Sequence, residues 1–210
     1  MTSRFNPLLL IVTAAAASLT FGAAHARALA PEAEPFEFDM VRSPGLAAFP
    51  NCLPNARARV SIEKNGPVEE MRVRVSGLPP KTNFDFFVIQ VPNKPFGMAW
   101  YQGDIETTAY GRGHGRFIGR FNEETFIVAP GSVPAPQVHS NAFPDAQLNP
   151  QTGPLHTFHL GLWFNSPQDA AKAGCPADVT PFNGEHNAGV QVLNTSNFPE
   201  LKGPLLNVTP

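Results

Sequence analysis

The chain lacks a surplus of charge, lacks thiols beyond two, and after its first residues lacks any apolar run long enough to cross a bilayer. Its 210 residues carry 15 lysines and arginines against 17 aspartates and glutamates, so there is no broad field to attract nucleic acid or an anionic membrane. Cys52 and Cys175 are the only cysteines, too distant for a redox C-x-x-C pair and too few for a zinc site. No internal repeat or low-complexity tract is present, which removes repeat architectures.

Several catalytic patterns are missing as well. No His-x-His pair of the copper–zinc superoxide dismutase kind occurs, and no His and Met follow Cys175 as a cupredoxin copper site requires. A Gly-x-Ser-x-Gly elbow is absent, and the serines sit in turn or cap contexts such as Ser43-Pro44 and Ser166-Pro167. Paired carboxylates for glycoside hydrolysis remain conceivable among Asp104, Glu106, Glu123, Glu124 and Glu185, but sequence does not fix their separation.

What is present begins with an export signal. Arg4, the apolar run from Leu8 and the small-x-small triplet Ala24-His25-Ala26 predict a signal peptide over residues 1–26, cleaved after Ala26. Residues 27–210 are enough for one domain with a full core, in the periplasm or outside the cell. In that oxidising setting the two cysteines predict a Cys52–Cys175 disulfide. With 23 prolines, 17 glycines and 17 phenylalanines, the composition points to a packed core broken by many turns rather than to disorder.

Alternation gives the strands. Residues Phe36 to Val41 set Phe36, Phe38 and Met40 against Glu37 and Asp39. Ala56 to Glu63 and Val68 to Ser76 flank Asn65-Gly66, which predicts a type I′ hairpin with Val60 opposite Met71, Arg57 opposite Arg74 and Arg59 opposite Arg72. Like charges so placed repel. Either Glu37 and Asp39 neutralise the face, or Arg57, Arg59, Arg72 and Arg74 form a site for an anionic ligand. Phe84 to Val91 is apolar on both faces, as a central strand would be. Asp104 to Thr108 and Gly115 to Phe121 read as a second hairpin around Tyr110-Gly111-Arg112-Gly113. Thr125 to Ala129, Leu155 to Phe164 and Asn187 to Leu193 are further strands, with a long loop over Pro130 to Pro154 and a tail expected on the surface. Ser166-Pro167-Gln168-Asp169 has the N-cap, N1 proline and capping-box residues of a short helix closed by Gly174. This pattern predicts an all-β, antiparallel, immunoglobulin-like sandwich with one short helix.

Two resemblances bear on that reading. Gly77-Leu78-Pro79-Pro80-Lys81-Thr82-Asn83-Phe84 resembles the Leu-x-Pro-x-Thr-x-Tyr corner of fibronectin type III and related immunoglobulin-like domains. Phe84 stands where their tyrosine would be, so the hydroxyl bond of that corner is lost. The segments Pro95-Phe96-Gly97 with Trp100-Tyr101-Gln102-Gly103-Asp104, His159 to Pro167, and Pro181-Phe182-Asn183-Gly184-Glu185-His186-Asn187 together resemble a group of uncharacterised secreted bacterial proteins. That likeness implies a shared compact fold and no particular activity.

Two further constellations are candidates for chemistry. Trp100, Tyr101 and Trp163 lie beside polar groups, notably Asp104, as sugar-binding or partner-binding aromatics do. His159 with Glu185 and His186 is the set expected to hold a metal ion if one binds; His156, on the opposite face of its strand, reads as a core-edge residue. The sequence thus predicts an exported, non-catalytic binding or cell-surface interaction protein, without cofactor, whose partner is a surface glycan or protein. The alternative is a metal-dependent or glycan-directed enzyme using His159, His186 and Glu185.

Overall fold

The computed structural model describes residues 34–121, 125–127, 154–180 and 185–208. The signal peptide and the loop over Pro130 to Pro154 lie almost wholly outside these residues, as do Glu123 and Glu124. The larger compact unit, residues 33–210, is mostly antiparallel β. Its main strands are β1 (Phe36–Arg42), β2 (Arg57–Asn65), β3 (Val68–Ser76), β4 (Asn83–Ile89), β5 (Ala99–Glu106) and β6 (Gly113–Gly119). A separate two-stranded ladder joins β7 (Thr125–Ile127) to β8 (Pro154–His156), and β9 (His159–Phe164), α1 (Pro167–Lys172) and β10 (Gln191–Asn194) complete the set.

Eight strands form one sheet in the order β5-β4-β9-β10-β1-β2-β3-β6. β1 serves both halves: residues 36–40 pair with β2, and Val41 and Arg42 pair with β10. The two ends of the sheet approach each other, because Thr107 just after β5 bridges Gly113 at the start of β6. The sheet is therefore nearly a barrel, and closure of this kind hides edges that would otherwise pair with another chain. Val60, Val73 and Phe117 from one half meet Phe84, Phe86, Leu162 and Val192 from the other in a single core. Phe86 stacks on Phe117 with ring centroids 5.0 Å apart.

The hairpin of β2 and β3 forms, two residues out of the expected register. Val60 faces Val73, Ile62 faces Met71 and Arg59 faces Arg74. The reason is Pro67. In a turn centred on Asn65-Gly66, Pro67 would have to donate the amide that closes the loop to Lys64, and proline has no N–H, so the turn moves to Gly66-Pro67, with Gly66 at φ 64°. Because the slip is two residues, the inner and outer faces are unchanged.

The second expected hairpin pairs at its base, where Thr107 bridges Gly113 and Thr108 N donates to Arg112 O at 2.7 Å, and its arms then diverge. β5 pairs with β4 and β6 with β3, and the glycine turn between them carries the chain from one half to the other. The hydroxyl of Thr107 fastens this turn. It donates to Pro79 O at 2.6 Å and accepts from Thr82 N at 2.9 Å.

The stretch expected as one strand from Leu155 to Phe164 divides between β8 and β9. In β9 the faces alternate as expected: Leu160, Leu162 and Phe164 enter the main core, while Trp163 joins Phe87, Ile89 and Phe96 in a smaller outer cluster. The tail is not a surface strip. A 3-10 turn over Pro204–Asn207 buries Leu205, whose amide donates to Phe158 O. Helix α1 is capped as expected, with Ser166 Oγ accepting from Asp169 N at 3.1 Å, and the chain then reaches Cys175, bonded to Cys52.

Candidate functional site

The outer face of β1, β2, β3 and β6 carries the arginines. Alternation sends Arg57, Arg59, Arg72, Arg74, His114 and Arg116 outward while Ala58, Val60, Val73 and Phe117 point in. Register sets them in rows across neighbouring strands. Asp39, Arg59, Arg74 and His114 lie abreast, and the next row is Glu37, Ser61, Arg72 and Arg116. Rows in a sheet are about 4.8 Å apart from strand to strand, so charges in one row interact directly.

Carboxylates neutralise part of this face. Arg59 is held by Glu37 at 2.9 Å and Asp39 at 3.1 Å. Glu70 takes Arg116 at 2.6 Å and Arg72 at 2.8 Å, and Glu63 takes Arg72 as well. The hydrogen bond from Arg116 holds the Glu70 carboxyl below its ordinary range, against a smaller opposing effect of burial. Toward the other end of the strands the acids run out. Arg57 bonds only the Ser76 hydroxyl, at 3.2 Å. Arg74, Arg112 and His114 have no carboxylate partner among the described residues. Arg42, nearby, spends its guanidinium on the carbonyls of Leu46, Phe49 and Cys52.

Arg57, Arg74, Arg112 and His114 line one groove of about 900 Å³, together with Arg42 and the ion pair of Arg59 with Asp39. Sequence reasoning found Arg57 and Arg74 and missed Arg112 and His114. Their strand pairing depends on β6 lying beside β3, a long-range contact with no local signal.

A second face carries the aromatic candidates. Trp163 is fully buried, its ring edge-on to Phe87 and Phe96 at 5.4 and 5.2 Å, so it is core and not available to a ligand. Tyr101 caps the same stack, 5.5 Å from Phe87, and donates its hydroxyl to Asp104 Oδ1 at 2.7 Å. Trp100 and Tyr101 are 53 % and 47 % exposed.

His159 is structural in this geometry. Glu200 O can only accept, so Nε2–H donates to it at 2.9 Å, which leaves Nδ1 to accept from the Thr195 hydroxyl at 2.9 Å. Both nitrogens are thereby committed, and burial pushes the imidazole down to about 4. Glu185 and His186 are both exposed, with Glu185 accepting from Asn187. Among the described residues no three His, Cys, Asp or Glu side chains are grouped to hold a metal ion. His156 stacks on Phe158 at 5.1 Å.

No protein-family model matches this chain, and no curated protein matches it either. The disulfide, and the lack among the described residues of any helix long and apolar enough to cross a membrane, are compatible with an exported protein.

Proposed function

We propose that this is an exported, non-catalytic binding protein whose arginine groove holds a ligand carrying several anionic groups. The observation that carries the reading is the uneven neutralisation of one sheet face. Four carboxylates serve Arg59, Arg72 and Arg116, while Arg57, Arg74, Arg112 and His114, which line the groove, have no carboxylate partner among the described residues. Unpaired guanidinium forks suit carboxylate, sulfate or phosphate groups, which they bind in bidentate fashion. Cleavage of residues 1–26, a periplasmic or extracellular location and kinship with secreted bacterial proteins belong to the same proposal, and the disulfide supports it.

In architecture, the passage of β1 from one half of the sheet to the other supports reading those halves as the layers of an immunoglobulin-like sandwich. The departure from that pattern is β3, which stays beside β2 where an immunoglobulin chain crosses to the opposite sheet.

Titration of the whole protein with a polyuronate oligomer and with polyphosphate, each at low and at molar salt, tests the groove. The expected result is saturable binding that weakens with salt. Arg57→Ala, Arg74→Ala and Arg112→Ala should each weaken it by roughly three- to tenfold. Preference for one probe tells a carboxylated from a phosphorylated source. Unaltered binding in the triple variant, or none in the parent, overturns the proposal.

A further inference from the structure

We infer that a pocket of about 390 Å³ with Lys94 and Asp178 at its mouth is a second binding site, one for a small zwitterion of the amino-acid class. Its floor is the product of a β-bulge. Gln191 faces Trp163 and Asn194 faces Gly161, so β10 carries an extra residue between them. Residues three apart in a regular strand point to opposite sides. The bulge instead sets Gln191 and Asn194 on the same outer side, while Val192 and Leu193 both enter the main core.

The two amides can therefore bond each other. Asn194 Nδ2 donates to Gln191 Oε1 at 2.9 Å, and Ser43 Oγ donates to the same oxygen at 2.7 Å. Gln191 Nε2 and Asn194 Nδ2 both donate to Pro92 O, at 3.1 and 2.8 Å. Each of these acceptors has both lone pairs filled, so the floor is complete without a ligand. It ties the turn after β1 and the loop after β4 to β10. Walls fixed in advance lose little conformational entropy when something binds between them.

The mouth is not complete in this way. Lys94 and Asp178 are exposed, line the same pocket, and form no ion pair with each other or with any other described residue. Asn93 turns its side-chain oxygen toward Asn194 Nδ2 at 3.3 Å, which leaves its own amide donors for a ligand. The Thr180 backbone amide is bonded to Ala188 O, but its hydroxyl has no partner among the described residues.

Charge and size together choose the occupant. An anion would be repelled by Asp178 and a cation by Lys94, whereas a ligand with both charges meets a partner for each. The volume lies near the lower end of the range of about 300–1,000 Å³ usual for ligand pockets, which suits a small molecule. In an amino acid held this way, the carboxylate pairs with Lys94 and Asn93 and the ammonium with Asp178 and Thr180. Pro44, Phe96 and Val190 remain for an apolar side chain. The pocket shares no lining residue with the arginine groove, and this site does not rest on the groove proposal.

The whole protein is titrated by calorimetry with L-leucine, L-valine and L-phenylalanine. At least one should bind saturably, at one site per chain. Its decarboxylated amine and its deaminated acid should each bind about tenfold more weakly or worse, a test that leaves the protein unaltered. Lys94→Ala and Asp178→Ala, at exposed positions without ion pairs, should each weaken the amino acid by about tenfold. Lys94→Ala should leave the amine's residual binding unchanged, and Asp178→Ala that of the acid. A flat titration with all three amino acids overturns the inference. So does an analogue that binds as tightly as its amino acid, or undiminished amino-acid binding in either variant.

Discussion

β2 and β9 are strands of one sheet with opposite relations to water. In β2, Arg57, Arg59 and Glu63 face out while Ala58, Val60 and Ile62 are buried, whereas all six residues of β9 are buried. β2 needs an apolar residue only at every second position; β9 must satisfy a core on both sides. The difference separates stability from recognition. The face outside β4 and β9 is filled by Phe87, Phe96 and Trp163 and is committed to packing. The face outside β2, β3 and β6 instead exposes Arg57, Arg59, Arg72, Arg74, His114 and Arg116, none of which enters the core.

The sharpest break of that contrast is Trp163→Ala. Removing a fully buried indole that touches Phe87 and Phe96 should cost about 3–5 kcal/mol, read from chemical denaturation. A loss below roughly 1 kcal/mol would show that the outer cluster is not a true core.

Next in size is the disulfide. Cys52 follows β1 in one half and Cys175 follows α1 beside β9 in the other, 123 residues apart in sequence. The bond therefore clamps the two regions together. Cys52→Ala with Cys175→Ala should cost about 2–5 kcal/mol, seen as a lower denaturation midpoint. The unfolded, unreduced parent should titrate no free thiol.

The two faces should also fail in different pH windows. His159, the first residue of β9, is held neutral with its imidazole down at about 4 against an ordinary 6.5. The unfolded chain binds this proton more readily, so the stability is fully present above about 6.5 and is lost as pH falls toward 4, amounting to roughly 3 kcal/mol. Glu70, on the charged face, is shifted below its ordinary 4.5. Its contribution is present above that value and declines only at more acid pH. His159→Gln should flatten the upper part of the stability–pH curve and Glu70→Gln only the most acid part. A single shared transition unaffected by His159→Gln would refute the assignment.

Local chemistry told most of the strands and little of their arrangement. The alternation of β1, β2 and β3, the doubly apolar β4 and the capped helix α1 were all legible, because each depends on neighbours in sequence. The hairpin register was misread through the attraction of Asn65-Gly66; Pro67, one residue on, decides the turn. That the arms around Tyr110-Gly111-Arg112-Gly113 part beyond the Thr107–Gly113 bridge depends on β6 finding β3, and no local pattern encodes it. The same long-range pairing builds the groove. The four arginines expected to act together divide accordingly: Arg59 and Arg72 are neutralised by acids, while Arg57 and Arg74 have no carboxylate partner among the described residues. Trp163, grouped in sequence with the exposed aromatics, is separated from them by its place in β9.

The smallest effect on stability should come from Arg74→Ala, and its sign is informative. Arg74 lies directly between Arg59 and His114 in its row, where like charges repel by a few tenths of a kcal/mol across strands. Asp39, the acid of the same row, is already engaged by Arg59. Truncation removes a repulsion and no ion pair, so the variant should be as stable as the parent or more so by up to about 0.5 kcal/mol. Added polyphosphate or polyuronate should raise the parent's denaturation midpoint and raise the variant's less, since a ligand stabilises only in proportion to its affinity for the native state. A residue kept for folding would behave in the opposite way, destabilising on removal and leaving the ligand response intact. Denaturation curves of parent and Arg74→Ala with and without the two polyanions therefore decide which kind of residue Arg74 is.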